Sequence, residues 1–289
     1  MRTIAELLVQ GEAALRSHSL SPRLDSTLLL SHSTGLSKIE LISKSKEIPP
    51  REVQAEYLSR IGRRVKGEPV AYILGKKEFF GREFKVSSSV LIPRPDTELL
   101  VEKALLHIQS APSNTPLKIL ELGVGSGCVV TTIAAECKGI GRSVEIVGVD
   151  ISPEALGVAT ENAKLHGVYE AINFIQGSWF SPLSKEQLFS IIVSNPPYIA
   201  RNDEDVSPET RFEPQDALYG GQDGLDAYRA IAAEFSHFLV PGGALLLEMG
   251  HSQAGCLSRI FAPYAPKSSP KIFKDLAGRD RVFQLTQHA

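Results

Sequence analysis

Paired cysteines, metal-binding patterns and long apolar runs are missing from this chain of 289 residues, and each absence excludes a class of protein. The three cysteines, Cys128, Cys137 and Cys256, have neither C-x-x-C spacing nor an even number, which favours reduced thiols in a cytoplasmic protein over a disulfide framework. The seven histidines show no metal-ligand spacing, so no bound metal is expected. No apolar run approaches the roughly 18 residues that cross a bilayer.

The net charge of −2 conceals an uneven distribution of charge along the chain. Residues 1–90 contain 15 Lys and Arg against 10 Asp and Glu, and residues 91–289 contain 16 against 23. A basic first part could face an acidic partner surface, although a solvated helix face more commonly explains such an excess. Glu6 and Glu12 near the start indicate an amphipathic helix and not a signal peptide.

Helical periodicity dominates residues 1–72, where apolar residues recur at spacings of three and four. Asp25, Ser37 and Pro50 stand where helix starts are plausible, so a small helical bundle is predicted. Residues 73–92 change character, because Gly81 separates two short stretches of alternating apolar residues. This pattern predicts a β-hairpin that connects the bundle to the rest of the chain.

Strands and helices alternate along residues 93–289, which predicts a mostly parallel, doubly wound α/β sheet of Rossmann-like type. The predicted elements are helix 96–109, strand 118–122, helix 128–137, strand 144–149, helix 153–166, strand 171–176, strand 188–194, a helix near 223–239 and strand 243–249. Strands at 270–273 and 281–286 are expected to form an antiparallel C-terminal edge. Residues 199–222 show little periodicity and are interpreted as a substrate-facing lid or, alternatively, a mobile surface insertion.

A glycine-rich turn joins the first of these strands to the following helix. The residues from Glu121 to Cys128 read E-L-G-V-G-S-G-C, and glycines at such a turn allow a ligand close to the backbone at a helix N-terminus. A dinucleotide-binding loop would place glycine where Cys128 stands, which disfavours a dehydrogenase. Asp150 ends the next strand, where a carboxylate can accept hydrogen bonds from both ribose hydroxyls. Together these features predict a nucleoside-containing cofactor.

A rigid polar turn, Asn195-Pro196-Pro197-Tyr198, follows the apolar run 191–194. Neither proline has an N–H to donate, and both fix the backbone. The turn therefore offers two stiff acceptors, the Asn195 side-chain oxygen and the Pro196 carbonyl, which suit the two hydrogens of a planar NH₂ group. The order of glycine loop, Asp150 and this turn, each after a strand, is that of an S-adenosylmethionine site with a methyl acceptor at the fourth strand.

The glycine loop, Asp150, Trp179 and the turn 195–198 resemble the glutamine methyltransferases of the HemK/PrmC type, which modify peptide release factors. Three further stretches are similar to that family: residues 92–98, 213–225 and 275–282. Val124 is a departure, because many members have threonine there.

The resemblance implies methyl transfer from S-adenosylmethionine, leaving S-adenosylhomocysteine, to the side-chain amide nitrogen of the Gly-Gly-Gln glutamine of class-1 peptide chain release factors. The implied substrate site consists of Asn195, Pro196, Pro197 and Tyr198. The implied cofactor site consists of Glu121, Gly123, Val124, Gly125, Ser126, Gly127, Asp150, Trp179 and Asn195. The N-terminal bundle is expected to recognise the substrate, and the whole is expected to be a cytoplasmic monomer that binds neither nucleic acid nor membrane.

Two other functions remain open at this point. Exocyclic amines of adenine or guanine are also planar NH₂ groups, but enzymes that modify them usually carry a basic face for phosphate, whereas residues 91–289 are acidic. A cofactor-binding protein without catalysis is the other alternative, and the intact turn and glycine loop argue against it.

Overall fold

Five helices fill the N-terminal part of the chain in the computed structural model, which describes residues 1–111, 117–203 and 206–287. They are α1 (Ile4–Leu15), α2 (Pro22–Thr34), α3 (Lys38–Ser43), α4 (Arg51–Val65) and α5 (Val70–Leu74). Their apolar faces share one core of Ile4, Leu7, Leu15, Leu29, Leu30, Leu41, Tyr57, Ile61 and Ile73. Met1–Lys76 and Ser207–Phe212 make up this first unit, and Lys77–Val206 and Glu213–Ala289 make up a second.

Two of the three predicted helix starts are confirmed. Ser37 caps α3 in a capping box with Glu40, and Pro50 precedes α4. The prediction at Asp25 is wrong, because α2 begins at Pro22, whose fixed φ suits a first helical turn. Asp25 lies instead in the first turn of α2, buried, and accepts a hydrogen bond of 2.7 Å from Arg64 Nε.

The segment Ser207–Phe212 belongs to the first unit although the sequence alone assigned that unit residues 1–72. A short 3-10 helix, Pro208–Phe212, carries Glu209, whose carboxylate pairs with the buried Arg64 guanidinium. Arg211 donates a hydrogen bond of 2.6 Å to the Lys66 carbonyl. Long-range polar contacts of this kind leave no period in a sequence, so the segment was grouped with the loop 199–222.

The predicted hairpin is confirmed as β1 (Lys76–Phe79) and β2 (Arg82–Lys85). Phe80 and Gly81 between the strands both have positive φ, 52° and 69°. Two such residues match a tight two-residue turn, which explains the glycine at the second position.

The second unit contains a seven-stranded sheet with the order β5-β4-β3-β6-β7-β9-β8. Its strands are β3 (Leu117–Leu122), β4 (Val144–Asp150), β5 (Ile172–Gln176), β6 (Phe189–Ser194), β7 (Leu239–Glu248), β8 (Lys271–Lys274) and β9 (Asp280–Thr286). Its helices are α6 (Glu98–Ser110), α7 (Cys128–Gly139), α8 (Pro153–Leu165), α9 (Asp226–Phe238) and α10 (Ala254–Phe261). β3 to β7 pair in parallel and β9 pairs antiparallel with β7 and β8, so the predicted α/β sheet and its antiparallel edge are confirmed.

Three details of the structure differ from the predictions. Helix α10 was not predicted, and β7 begins four residues before the predicted 243 because Leu239 already pairs with Phe189 ahead of a register shift. Residues 199–222 were expected to lack structure, but they include the 3-10 helices Pro208–Phe212 and Gln215–Ala217. Residues 204–205 of this predicted loop lie outside the described residues. Within the described ranges, no helix combines the length and apolar character that a membrane span requires.

Parallel pairing brings the functional motifs to one edge of the sheet. Leu122 pairs with Val149 of β4 and with Ser194 of β6. The loops that follow these three residues therefore start side by side at the carboxyl ends of the strands, where open α/β sheets bind ligands.

Candidate active site

A cavity of about 490 Å³ opens at the carboxyl ends of β3, β4 and β6. Most of the residues expected at the cofactor and substrate sites line it: Glu121, Gly123, Val124, Gly125, Ser126, Asp150, Trp179, Asn195 and Pro197. Three expected residues, Gly127, Pro196 and Tyr198, are not among the described residues that line it. The cavity is large enough for a nucleoside-sized ligand, since such pockets begin at roughly 300 Å³.

The glycine loop adopts a backbone that other residues rarely adopt. Gly123, Gly125 and Gly127 have φ of 75°, 54° and 75°. A Cβ added to Gly123 or Gly125 would meet open space, whereas one on Gly127 would lie 2.8 Å from Ala159 Cβ. The first two glycines therefore shape the cavity wall, and Gly127 lets α7 approach α8.

Asp150 holds the glycine loop to the next strand. Its Oδ2 accepts a hydrogen bond of 2.8 Å from Gly125 N–H, and its Oδ1 accepts one of 2.9 Å from Ser152 N–H. A carboxylate has about four acceptor positions, so each oxygen can accept one more donor from the cavity. The carboxylate is oriented by these two bonds before any ligand arrives.

Glu121 lies beneath the loop and is almost fully buried. Its Oε2 accepts a long hydrogen bond of 3.3 Å from the Val130 N–H in α7. Burial raises the pKa of Glu121 well above its usual value, and nearby Asp150 raises it further. Both effects favour the protonated form of Glu121, which can donate a hydrogen bond, whereas an ionised carboxylate cannot.

Trp179 is one of two residues other than glycine with a positive φ, 49°, within the described parts of the chain. The next residue, Phe180, is buried and stacks on Phe238 at 4.8 Å between ring centroids. Packing of Phe180 thus anchors the strained turn while the Trp179 side chain lines the cavity.

The turn 195–198 contains a buried acceptor with no donor. Asn195 Nδ2 donates a hydrogen bond of 3.1 Å to Thr97 Oγ1. Asn195 Oδ1 is buried, and no described residue donates to it. A buried polar atom without a partner is costly, so an amide oxygen left free beside a cavity indicates a ligand donor.

Tyr198 is tied to the end of β7. Its hydroxyl donates a hydrogen bond of 3.3 Å to Glu248 Oε1, and its carbonyl accepts one of 3.0 Å from Gln253 Nε2. Burial, with Glu248 next to it, raises the pKa of Tyr198, so the hydroxyl keeps its proton. The resemblance implied that Tyr198 belongs to the substrate site, and the hydrogen bond from its hydroxyl to Glu248 ties it also to the end of β7.

Sequence reasoning missed four polar side chains around the site. Arg94 lines the cavity and pairs with the buried Glu213, which also accepts a hydrogen bond from Ile92 N–H. Thr97 lines the cavity, and Glu248 is fully buried next to Tyr198. All four stand in stretches that carried the resemblance or end an apolar strand, but their contacts span up to 121 residues of sequence.

Cys128 also lines the cavity, but it is not a nucleophile. Burial raises the pKa of its thiol to about 12, so the reactive thiolate is scarce at neutral pH. The described part of the chain has no group of three His, Cys, Asp or Glu residues placed to hold a metal ion.

Comparisons with known proteins cover both units of the chain. Residues 6–75 match the PrmC N-terminal domain family, and residues 113–253 match a methyltransferase domain family. A release factor glutamine methyltransferase of Vibrio cholerae is 39% identical over 279 residues, covering 96% of this chain and 94% of the relative. One of Geobacter sulfurreducens is 42% identical over 243 residues, covering 83% and 81%.

Among solved structures, a methyltransferase from Pyrococcus furiosus superposes with a TM-score of 0.54. It covers 80% of this chain and 99% of its own at 16% identity, which shows a shared fold. The sequence identity to the curated relatives extends over the helical unit, the sheet and the turn 195–198, and the resemblance noted in the sequence is confirmed: the chain belongs to the release factor glutamine methyltransferase family.

Proposed function

We propose that this protein transfers a methyl group from S-adenosylmethionine to the side-chain amide nitrogen of the glutamine in the Gly-Gly-Gln motif of class-1 peptide chain release factors. The observation that carries the proposal is the buried, unpartnered Asn195 Oδ1 beside the cavity. This oxygen can accept a hydrogen bond from the N–H of a primary amide. An anionic group has no hydrogen to donate to it.

The residues of the cavity fit the cofactor. The Asp150 carboxylate has free acceptor positions for the ribose hydroxyls, and Gly123 and Gly125 leave open space for the methionine part. Trp179 supplies a flat apolar surface for the adenine, and the buried Glu121 carboxyl, whose pKa is raised, lies beneath the loop. Val124 and Ser126 complete the wall, and Gly127 acts through helix packing. Bound S-adenosylmethionine supplies an electrophilic methyl group on a sulfonium.

The turn would prepare the substrate nitrogen for attack. An amide nitrogen is a poor nucleophile because its lone pair is delocalised into the carbonyl. Asn195 Oδ1 and the Pro196 carbonyl would accept its two N–H bonds, hold it in line with the methyl group and favour partial pyramidalisation. Pro197 restricts the backbone of the turn, and the hydrogen bond from Tyr198 to Glu248 ties the turn to β7. No strong base is needed before transfer, since the methylated nitrogen can lose a proton afterwards.

The helical unit is the proposed recognition part of the enzyme. Val9, Leu24 and Ile42 are exposed large apolar residues of this unit, and they line a groove between helices. Exposed apolar residues that gather in one groove commonly mark a protein interaction site. A folded release factor would contact this surface, whereas a short peptide containing Gly-Gly-Gln would need only the cavity.

Methyl transfer to two matched release factors tests the proposal. The purified protein is incubated with methyl-labelled S-adenosylmethionine and a release factor carrying Gly-Gly-Gln or Gly-Gly-Glu, and products are located by mass spectrometry. We expect one methyl group on the glutamine and none on the glutamate protein, which lacks the NH₂. Methylation of the glutamate protein, or efficient labelling of DNA or RNA in its place, would refute the proposed acceptor.

A further inference from the structure

The end of β7 places a buried acid next to the catalytic turn. Leu247 pairs with Ser194, so the residues that follow them, Glu248 at the end of β7 and Asn195 directly after β6, lie side by side. Glu248 has a relative exposure of 0%. Nothing in the proposed transfer step requires a carboxyl group at this position.

Glu248 has one satisfied oxygen and one free oxygen. Oε1 accepts the hydrogen bond from the Tyr198 hydroxyl, and Oε2 is buried without a donor among the described residues. Thr97, a residue only 2% exposed, lies close enough to the carboxyl for its hydroxyl to lower the pKa of Glu248. The same hydroxyl accepts the hydrogen bond from Asn195 Nδ2.

A threonine hydroxyl has one proton, and its direction decides which amide atom it can bind. When the proton points at Glu248, the oxygen offers lone pairs to Asn195 and selects the Nδ2 group. When the proton points at Asn195, the hydroxyl donates to Oδ1, and the side-chain amide must flip so that Oδ1 faces Thr97. The second arrangement would present an NH₂ group to a substrate that is itself an NH₂ donor, so it cannot bind the substrate amide.

We infer that Glu248 is a positioning residue, which holds the Thr97 proton and thereby keeps Asn195 Oδ1, and not Nδ2, directed at the substrate amide. This inference rests on the proposed function and adds a residue that touches neither substrate nor cofactor. An ionised Glu248 accepts hydrogen bonds and donates none, so it enforces this direction. A protonated Glu248 can donate to Thr97 and release the Thr97 proton toward Asn195.

The charge state of Glu248 changes near neutral pH. The pKa of Glu248 is raised to about 7, chiefly by burial; Thr97, Arg281 and Tyr198 lower it, and Asp96 adds to the increase. The titratable groups that face it are Asp96, Arg281, Tyr198, Tyr228 and Cys128. Tyr198, Tyr228 and Cys128 keep their protons through this range because burial raises each pKa. Transfer is therefore expected to increase as the pH rises through about 7.

Glu248→Gln and a pair of Thr97 variants test the inference in the full-length protein with a release factor as substrate. Gln both donates and accepts, so Glu248→Gln should lower kcat by about 10- to 100-fold. Its KM for the release factor and its affinity for S-adenosylmethionine should change less than about threefold, and its kcat should lose the rise near pH 7. Thr97→Ser, which keeps the hydroxyl, should retain most activity, whereas the isosteric Thr97→Val should match Glu248→Gln.

Tyr198→Phe gives an independent readout, because the Tyr198 hydrogen bond lowers the pKa of Glu248. Its activity profile should shift to higher pH. A Glu248→Gln protein with wild-type kcat and an unchanged pH profile would overturn the inference, as would full activity of Thr97→Val. If Glu248→Gln fails to fold, the Thr97 pair and the Tyr198→Phe shift decide the question. The same assay tests the two proposals separately. Wild-type protein that does not methylate the release factor would refute the proposed function, whereas active wild-type protein with equally active variants would refute only the role of Glu248.

Discussion

Asn195 is the residue on which the proposed chemistry depends most directly. Its free oxygen is already held in place by the Nδ2 bond to Thr97, so its cost of orientation is met before substrate binds. Asn195→Ala should lower kcat by about 10²–10³, the usual effect of removing one preorganised partner of a transition state. Affinity for S-adenosylmethionine, measured by calorimetry, should fall much less.

Asn195→Asp is the matched variant. A carboxylate still accepts the substrate N–H bonds, so partial activity is expected, reduced because the bond donated to Thr97 is lost. It should remain inactive on DNA and RNA. An alanine variant as active as the aspartate variant would show that the side-chain acceptor has no role in transfer.

Asp150 is expected to determine cofactor affinity. A hydrogen bond to a charged group contributes about 1.5–3 kcal/mol, so Asp150→Ala should weaken binding of S-adenosylmethionine by more than about tenfold. Part of that loss would come from the glycine loop, which also loses its bond from Gly125. Glu145→Ala, which removes an exposed carboxylate on the same strand, is the control and should bind normally in calorimetry.

Through Glu248, the stability of the protein should depend on pH, as its activity should. Its pKa is about 7 in the folded protein against 4.5 in the unfolded chain, so folding is favoured while the group is protonated. That contribution is complete below pH 4.5 and is lost as the pH rises through about 7. A shift of this size corresponds to about 3 kcal/mol.

Urea unfolding of wild type and Glu248→Gln across this range measures the effect. The free energy of unfolding of wild type should fall more steeply with pH than that of the variant. Glu121 contributes in the same direction to both proteins, so the difference isolates Glu248. Parallel curves would show that folding does not shift the pKa of Glu248.

At the scale of elements, Gly125 and Gly127 have different roles in the glycine loop, although the sequence pattern does not distinguish them. Gly125→Ala and Gly127→Ala both place a side chain at positive φ, which costs about 1–2 kcal/mol. Only Gly127→Ala adds an overlap with Ala159 in α8, so it should lose more stability. Gly125→Ala should instead show its main loss in cofactor affinity. Thermal unfolding and calorimetry of the two variants distinguish these outcomes.

The elements that carry the site could be predicted because parallel sheets convert sequence order into position. Apolar runs before Gly123, at Val144–Asp150 and before Asn195 were sufficient to place three loops at one edge. The linear pattern could not reveal that Thr97 and Glu248 meet behind Asn195, because an acid at the end of an apolar strand has the same sequence signature whether it is solvated or buried.

At the scale of the whole molecule, the helical unit should affect protein substrates alone. A double change of Val9→Lys and Ile42→Lys adds charge to its exposed groove. Loss of an interface residue that acts as an apolar anchor costs about 1 kcal/mol or more, so loss of even one of the two should raise KM for a folded release factor by about fivefold or more. Leu276→Lys, another exposed apolar position in the second unit, is the control and should leave KM unchanged.

A short Gly-Gly-Gln peptide separates recognition from chemistry in the same variants. Transfer to the peptide should be equal in wild type and in the double variant, because the cavity is unaltered. Equal KM values for the folded factor would show that this groove is not the recognition surface. Substitution is cleaner than truncation here, since removing residues 1–76 would leave Ser207–Phe212 without the unit it belongs to.

The membership of Ser207–Phe212 in the helical unit has a consequence for synthesis on the ribosome. Arg64 and Glu209 are separated by 145 residues, which take on the order of ten seconds to translate at about 5–20 residues per second. During that interval Asp25 is the one carboxylate, among the described residues that pair with the Arg64 guanidinium, that has already been made. The N-terminal unit is therefore the first to begin folding but becomes complete only after β6 and the catalytic turn have been made.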